Sequence, residues 1–131
     1  EGPPSIDTRR FVSYPVVLIL APVRELAEQI YNVAKILVRN SYIRVSKLYG
    51  GVPHDSQNKE LKSGVDIIIS TPGRLIDFLQ RGRISLSCIR FLVLDEADRM
   101  LDMGFEKQLN EIVNQFSKLI YIYIKYYFIF I

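Results

Sequence analysis

The sequence predicts an α/β fold in which a parallel β-sheet is covered by helices on both faces. Short runs of purely apolar residues alternate with longer segments in which apolar residues recur every three or four positions. Runs of the first kind are typical of strands buried on both faces, and segments of the second kind are typical of amphipathic helices. Their alternation implies right-handed strand–helix–strand units and therefore a parallel sheet.

The predicted strands span residues 16–20, 43–49, 67–69 and 91–94, and the second of them has the weakest pattern. The predicted helices span residues 24–39, 54–62, a segment that begins at residues 71–72, and residues 105–116. The first helix has an apolar face that we expect to lie on the sheet, made of Leu26, Ala27, Ile30, Val33, Ala34 and Leu37. In the third helix, Thr71 can cap the first turn. Pro72 lies in that turn, where a backbone N–H would have no acceptor within the helix, so the missing N–H of proline has no cost there.

The two ends of the chain depart from this alternation. Residues 1–14 have two prolines and no periodicity, and we interpret them as a linker or long loop. Residues 15–117 form the predicted domain. Residues 118–131 are an atypical hydrophobic tail, and within residues 119–131 there is one charge and no turn former. Our hypothesis for the tail is AT-rich non-coding sequence translated past an exon end, and the alternative is a genuine hydrophobic C-terminus.

Composition excludes several classes of protein. A length of 131 residues allows one core but not two full domains, and a net charge of +3 permits a polyanionic partner without requiring one.

Cys88 is the single cysteine, so an internal disulfide is excluded, a thiolate metal site is disfavoured, and a reducing compartment fits best. The single histidine, His54, is interpreted as an ordinary surface residue. The sequence has no visible signal peptide, and its first residue, Glu1, suggests a piece of a longer protein.

Polar clusters follow each of the four predicted strands. These clusters are residues 21–25, the Gly50-Gly51 pair, residues 70–74 and residues 95–98. In parallel sheets, ligands bind outside the carboxyl ends of the strands. We therefore expect all four clusters to meet at one edge of the sheet and to form the functional site.

The acidic cluster Asp95-Glu96-Ala97-Asp98 follows an apolar strand directly. A carboxylate at that position can hold Mg²⁺ through water, and a neighbouring one can orient or deprotonate a water for attack on a phosphate. The alternative is an ordinary acidic helix start, because acidic residues favour the first turn. Spacing alone leaves both interpretations open.

The other clusters offer groups that bind phosphate. Thr71-Pro72-Gly73-Arg74 combines a hydroxyl, helix N-terminal amides and a guanidinium, and Arg24 has a similar place after the first strand. Taken one at a time, these are more often capped helices with solvated arginines. The Gly50-Gly51 pair allows a close approach of backbone to ligand, or simply turns the chain.

Together, these segments resemble the DEAD-box family of ATP-dependent RNA helicases, specifically part of its first RecA-like domain. The matching segments, in order, are Ala21-Pro22-Val23-Arg24-Glu25-Leu26-Ala27 (motif Ia), Gly50-Gly51, Thr71-Pro72-Gly73-Arg74 (motif Ib) and Val93-Leu94-Asp95-Glu96-Ala97-Asp98 (motif II). Residues 99–105, which come directly after motif II, resemble the corresponding segment in the branch of the family that contains the translation-initiation and germline helicases. Order and spacing agree over residues 15 to about 115, and four motifs in order are highly specific.

The resemblance implies ATP and Mg²⁺ as cofactors and RNA as the partner. Asp95 would ligate Mg²⁺ through water, Glu96 would act on the attacking water, and Asp98 would couple the nucleotide site to neighbouring motifs. Sequence-nonspecific contacts with the phosphate backbone of single-stranded or duplex RNA would come from Pro22, Arg24, Gly50, Gly51, Thr71, Pro72, Gly73 and Arg74. An intracellular protein is implied, in cytoplasm or nucleus, without membrane contact and monomeric.

Three departures from the family pattern modify this expectation. Val23 replaces a threonine, which removes a hydroxyl that could cap the helix or bind phosphate. The printed chain contains no Gly-x-x-x-x-Gly-Lys-Thr loop for the β- and γ-phosphates and no adenine-reading glutamine segment. The Ser-Ala-Thr motif and the second domain, with its arginine finger, are also absent from it. We therefore expect this chain alone to be inactive as an ATPase, and the alternative function is a non-catalytic RNA-binding or interaction fragment.

Overall fold

The computed structural model describes residues 11–116 and 120–125. Its strands are β1 (Val17–Leu20), β2 (Val45–Leu48), β3 (Ile67–Ser70), β4 (Phe91–Asp95) and β5 (Tyr121–Lys125). Its helices are α1 (Arg24–Leu37), α2 (His54–Lys62), α3 (Pro72–Gln80), α4 (Ala97–Asp102) and α5 (Glu106–Val113). None of the described helices is long and apolar enough to cross a membrane.

The five strands form one parallel sheet in the order β2-β3-β1-β4-β5. Leu20 lies beside Ser70 on one side and beside Leu94 on the other, and Ser70 in turn lies beside Leu48. Because these four positions are in register, the segments that follow β1 to β4 all leave the sheet at the same edge. The predicted α/β fold with a parallel sheet is confirmed.

Helices cover both faces of the sheet, as predicted. Alternate strand residues point to opposite faces. Leu18 and Ile68 pack with side chains of α2, α3 and α5, whereas Ile69 packs with α1 through Ala27. Among the fully buried side chains, the largest is Phe78 of α3, which the helical pattern did not single out. Burial of each large apolar side chain contributes about 1.5–3 kcal/mol.

Part of the apolar face predicted for α1 does not reach the core. Ala27 is buried, but Val33 and Leu37 are exposed, Leu37 to 79%. Both line an apolar groove of about 380 Å³ that runs along Ile19 and ends at Asp95 and Lys125. Tyr31 and Ala34, in the same half of α1, pack against the apolar cluster on this face of the sheet, so it is the side carrying Val33 and Leu37 that is left exposed.

Two helices follow β4, of which the second was predicted and the first was weighed only as the alternative of an acidic helix start. Residues 97–102 form the short helix α4, which the sequence analysis did not separate from its surroundings. Gly104, with φ +83°, breaks the chain before α5 begins at Glu106. Leu109 and Ile112 of α5 are buried, as the helical spacing predicted, whereas Val113 is exposed.

The hydrophobic tail contributes a strand to the sheet, contrary to our expectation that it stands apart from the pattern. Tyr121–Lys125 form β5, which pairs in parallel with β4, and the Phe91 and Tyr121 rings stack at 5.4 Å. Apolar β-branched and aromatic residues suit a strand, which explains the pairing. All five residues are exposed, so β5 is an apolar edge strand of the kind that promotes aggregation. Residues 117–119 and 126–131 lie outside the described residues.

Residues 11–14, at the end of the predicted linker, also contact the domain. Ser13 forms a parallel bridge with Ile84, and its buried hydroxyl donates to the carbonyl of Leu61 (2.8 Å). Residues 1–10 lie outside the described part of the chain.

Candidate functional site

The carboxyl edge of the sheet, called the rim below, is formed by residues 21–25, 49–52, 70–74 and 95–98. The first three segments follow the neighbouring strands β1, β2 and β3, and the fourth follows β4. The rim is therefore divided. Arginine, glycine and threonine lie above β2-β3-β1 together with one carboxylate, Glu25, whereas Asp95, Glu96 and Asp98 lie above β4.

Asp95 ends β4 and carries the most buried carboxylate of the rim. It is 8% exposed, and its Oδ1 atom has no hydrogen-bond partner among the described residues; the same holds for Oδ1 of Asp98. The Lys125 ammonium, one strand away in register, lies 3.9 Å from Asp95 Oδ1. Two buried carboxylate oxygens without donors are suited to a hydrated Mg²⁺, which prefers carboxylate oxygen and retains several waters. The unpartnered Oδ1 of Asp95 therefore fits the cation that the resemblance implies for this residue, and among the described residues no group of three or more ligand side chains surrounds it.

Glu96 turns the chain from β4 into α4 through a left-handed backbone conformation, with φ 54° and ψ 50°. Such a conformation costs a non-glycine residue about 1–2 kcal/mol. It bends the chain so that the Glu96 carbonyl accepts the first helical hydrogen bond, from the N–H of Met100 (3.1 Å). Arg99 lies 3.5 Å from the Glu96 carboxylate. Strained residues of this kind cluster at functional sites, and Glu96 is the one described non-glycine residue with positive φ.

Arg24 begins α1 and points its guanidinium across the rim toward β2. The guanidinium lies 4.8 Å from the centre of the Tyr49 ring. The Arg24 Nη1 atom would be 3.1 Å from a Cβ atom added to Gly51, which has φ +83°. Arg24 is exposed, so its cationic group is presented to solvent on the rim.

The helix caps on this side of the rim differ in part from the sequence prediction. Pro72 stands in the first turn of α3 as predicted, but the Thr71 hydroxyl makes no capping hydrogen bond. Val23 is the N-cap residue of α1 and likewise gives no side-chain cap, which agrees with the expected loss of a hydroxyl there. Pro22 and Pro72 are buried, so any RNA contact they make is left to their backbone atoms, whereas Gly73 is exposed.

Arg74 is partly occupied by contacts within the protein. Its Nη2 atom donates to the carbonyl of Val52 (3.2 Å), and its Nη1 atom lies 2.8 Å from Nε2 of His54. The same His54 nitrogen lies 3.1 Å from Asp77 Oδ2. Because one ring nitrogen can accept from Arg74 or donate to Asp77, but not both, His54 serves one of them at a time. Arg74 thereby fastens the loop after Gly51 to α3.

A comparison with protein families identifies the chain. The family model described as DEAD/DEAH box helicase matches residues 9–126. The chain belongs to the DEAD/DEAH box helicase family. The match confirms the resemblance drawn from the motifs, and the fold is that of a partial RecA-like domain of this family.

Two solved DEAD-box structures are similar to the chain. One is a DEAD box protein from the hyperthermophile Methanococcus jannaschii, with 36% identity over 89% of this chain and a TM-score of 0.82. The other is the yeast DEAD-box splicing factor Prp28, with 34% identity over 87% of this chain and a TM-score of 0.78. The matches cover 32% and 28% of those two chains, so the present DEAD-box chain spans about a third of such proteins.

Three residues in or beside the DEAD-box rim have contacts that the sequence analysis did not predict. His54 is a half-buried bridge between Arg74 and Asp77 rather than the surface residue that we expected. Tyr49 was taken as the end of a weak strand, and Lys125 as part of a tail outside the fold. The side chains that each of them contacts are distant in sequence, so no local pattern marked them. The one local feature that could have indicated such a residue is the position of Tyr49 directly before Gly50-Gly51.

The paired glycines at residues 50–51 give a direct test of the rim geometry. Gly51→Ala is expected to cost about 1–2 kcal/mol of unfolding free energy, because alanine is strained at positive φ. It should also displace Arg24, whose Nη1 atom is 3.1 Å from the new Cβ. Gly50→Ala is the matched control, since no atom lies within 4 Å of its added Cβ. Urea unfolding of both variants measures the difference, and equal losses would contradict this account of the loop.

Proposed function

We propose that this chain supplies the RNA-facing and magnesium-facing parts of the first RecA-like domain of an ATP-dependent RNA helicase, which hydrolyses ATP to unwind or remodel RNA. The observation that supports this most directly is the division of the rim. Arg24, Arg74, Thr71 and the rim glycines stand above three adjacent strands, where Glu25 is the one carboxylate, and the acidic cluster of Asp95, Glu96 and Asp98 stands above the next strand. One edge of the sheet can thus bind a polyanion and a metal–nucleotide at separate places.

On the nucleotide side, Asp95 would hold a hydrated Mg²⁺, Glu96 would act on the attacking water, and Asp98 would couple this site to neighbouring motifs. A bound Mg²⁺ would neutralise the charge that develops on the transferred phosphate. Asp95 holds an unpartnered oxygen at the strand end, and Asp98 holds another in the first turn of α4. Glu96 stands between them in sequence, where its carboxylate can orient a water or take its proton.

On the RNA side, the proposal assigns contacts with phosphates to the exposed cation and to the turns around it. Arg24 offers a guanidinium, Thr71 offers a hydroxyl that makes no cap bond, and Gly50, Gly51 and Gly73 let the backbone approach closely. Contacts of this kind give affinity without sequence specificity. Arg74 contributes charge beside them while it holds the loop in place.

Binding of single-stranded RNA by the 131-residue chain tests the RNA-facing half of the proposal. Arg24→Gln should weaken binding about tenfold, the loss expected for one charge-assisted hydrogen bond. It should also flatten the slope of log K against log salt by about 0.7, the value for one phosphate contact on a single strand. Arg39→Gln, which removes an equal charge just beyond the other end of α1, is the control. Equal effects of the two substitutions would contradict an RNA site at the rim.

A second candidate function is a non-catalytic RNA-binding or interaction fragment, and the position of Lys125 favours it. Its ammonium, 3.9 Å from Asp95 Oδ1, places a positive charge beside the carboxylate that would hold Mg²⁺. The printed chain also contains no glycine loop for the β- and γ-phosphates. RNA-stimulated ATP hydrolysis, measured beside RNA binding, separates the two candidates. Binding without hydrolysis would assign the present chain to the second.

A further inference from the structure

The Arg24 guanidinium is placed on the rim without any acceptor to hold it there. Among the residues that the structure describes, it forms no hydrogen bond and no ion pair, and its contacts are the Tyr49 ring at 4.8 Å and the open space beside Gly51. A flexible arginine in that situation loses side-chain entropy when it binds a ligand. A flat aromatic surface beneath it reduces that loss, because the cation is already attracted to the ring.

Tyr49 is held rigidly beneath this guanidinium. It is buried, and its hydroxyl donates to Oε2 of Glu28 (2.5 Å), one turn along α1 from Arg24. Burial and this hydrogen bond raise the pKa of the Tyr49 hydroxyl, so the group keeps its proton and remains a donor. The ring is thus fixed at one end by β2 and at the other by α1.

Glu28 is the side chain that could draw the Arg24 guanidinium away from the Tyr49 ring, because residues four apart on a helix are neighbours and opposite charges attract. In the structure, both Glu28 oxygens are already bound. The Lys47 ammonium donates to Oε1 (2.7 Å) and Oε2 (2.9 Å), and Tyr49 donates to Oε2 as well. The hydrogen bonds from Lys47 and, next, from Tyr49 lower the pKa of Glu28, and the nearby charge of Arg24 contributes as well. The carboxylate therefore stays ionised, and although it attracts Arg24, its oxygens are bound by Lys47 and Tyr49 rather than by the guanidinium.

We propose that Tyr49 is a positioning residue for RNA binding: its ring holds the Arg24 guanidinium over Gly51, while Lys47, which binds both Glu28 oxygens, keeps that carboxylate from capturing the guanidinium. The inference rests on the proposed RNA site at the rim and deepens it, since Tyr49 itself is buried beneath Arg24. It also gives Gly51 a second role, because a side chain there would take the space that the guanidinium uses.

The test measures RNA affinity of the full 131-residue chain and the state of the Arg24 side chain in the same variants. Tyr49→Leu should weaken binding of a single-stranded RNA oligonucleotide about fivefold, roughly the effect of losing one cation–π contact. Tyr49→Phe keeps the ring, and Lys47 still binds both Glu28 oxygens, so this variant should bind within about twofold of the parent. Tyr42→Leu, which removes a fully exposed tyrosine elsewhere, is the control.

Two further measurements separate positioning from a general loss of structure. In nitrogen-detected NMR, the Arg24 Nε–H signal should carry a ring-current shift that persists in Tyr49→Phe and disappears in Tyr49→Leu. In a double-mutant cycle, Tyr49→Leu should have no additional effect on RNA affinity once Arg24→Gln is present. Additive losses, or an Arg24 signal unchanged in Tyr49→Leu, would overturn the inference.

The outcomes also distinguish this inference from the proposal on which it rests. If Arg24→Gln leaves RNA affinity unchanged, the RNA site at the rim is wrong. If Arg24→Gln weakens binding while Tyr49→Leu does not, the RNA site stands and the positioning role of Tyr49 is wrong. If Tyr49→Leu unfolds the chain, Tyr49→Phe decides through the NMR signal, since a missing ring-current shift there contradicts the inference.

Discussion

Replacing Glu96 by glutamine is expected to lower ATP hydrolysis about 10²- to 10⁴-fold in a protein that contains the whole nucleotide site. Glutamine keeps the size of the side chain but cannot take a proton from water. A suitable host is the M. jannaschii DEAD box protein, 36% identical over 89% of this chain, with the segment that matches residues 11–116 replaced by those residues. The quantity to measure is RNA-stimulated phosphate release, with the unmutated chimera as the reference.

RNA binding should be unaffected by the same substitution, because Glu96 lies above β4 and the residues proposed to contact RNA lie above β2, β3 and β1. Asp102→Asn is the matched control, since it removes an exposed carboxylate from the same helix, α4. If the chimera hydrolyses ATP equally fast with Glu96→Gln, Glu96 does not act on the attacking water. Loss of RNA binding in that variant would instead contradict the division of the rim.

Replacing Phe78 by alanine is expected to reduce the free energy of unfolding by about 3–5 kcal/mol. Phe78 is fully buried in α3 and belongs to the core cluster shared with α2 and α5, so its removal leaves a cavity that these helices cannot fill. The free energy of unfolding of a native domain is about 5–15 kcal/mol, so this variant should lie close to its unfolding transition. Urea denaturation followed by circular dichroism measures the shift in midpoint.

Phe91→Ala removes an equal ring from a different environment and serves as the comparison. Phe91 is 45% exposed on β4, and its ring stacks on Tyr121 of β5. Loss of that stacking should cost about 0.5–1.5 kcal/mol. A larger loss from Phe91→Ala than from Phe78→Ala would show that β5, not the helix-covered face, dominates the stability of the domain.

The position of α3 relative to the rim links these two predictions. Phe78 packs its ring 5.4 Å from that of His54, which contacts Arg74, and Arg74 holds the loop after Gly51. Loss of Phe78 should therefore loosen the loop after Gly51 before it affects Asp95, which ends β4, a strand separated from β3 by β1. The core is connected to this part of the rim through α3, the helix that starts at Pro72.

The order of strands and helices could be predicted because each signal is local. Residues 67–69 are an unbroken β-branched run, and Leu109 and Ile112 have helical spacing, so neighbouring residues alone specify these elements. The shared rim could be predicted for a related reason, since all carboxyl ends of a parallel sheet lie at one edge. The family could be inferred too, because four short motifs in order are more specific than any one of them.

The tertiary structure decided which side chains meet. Whether Leu37 is buried depends on which other elements cover the sheet, and the residues of α1 do not specify those elements. The contacts of Tyr49 with Glu28, of His54 with Arg74, and of Lys125 with Asp95 each join elements separated by many residues. Such contacts arise from strand order and helix placement rather than from periodicity. The sequence by itself therefore determined the elements, their parallel arrangement and the family, whereas only the packed sheet determined how the rim residues hold one another.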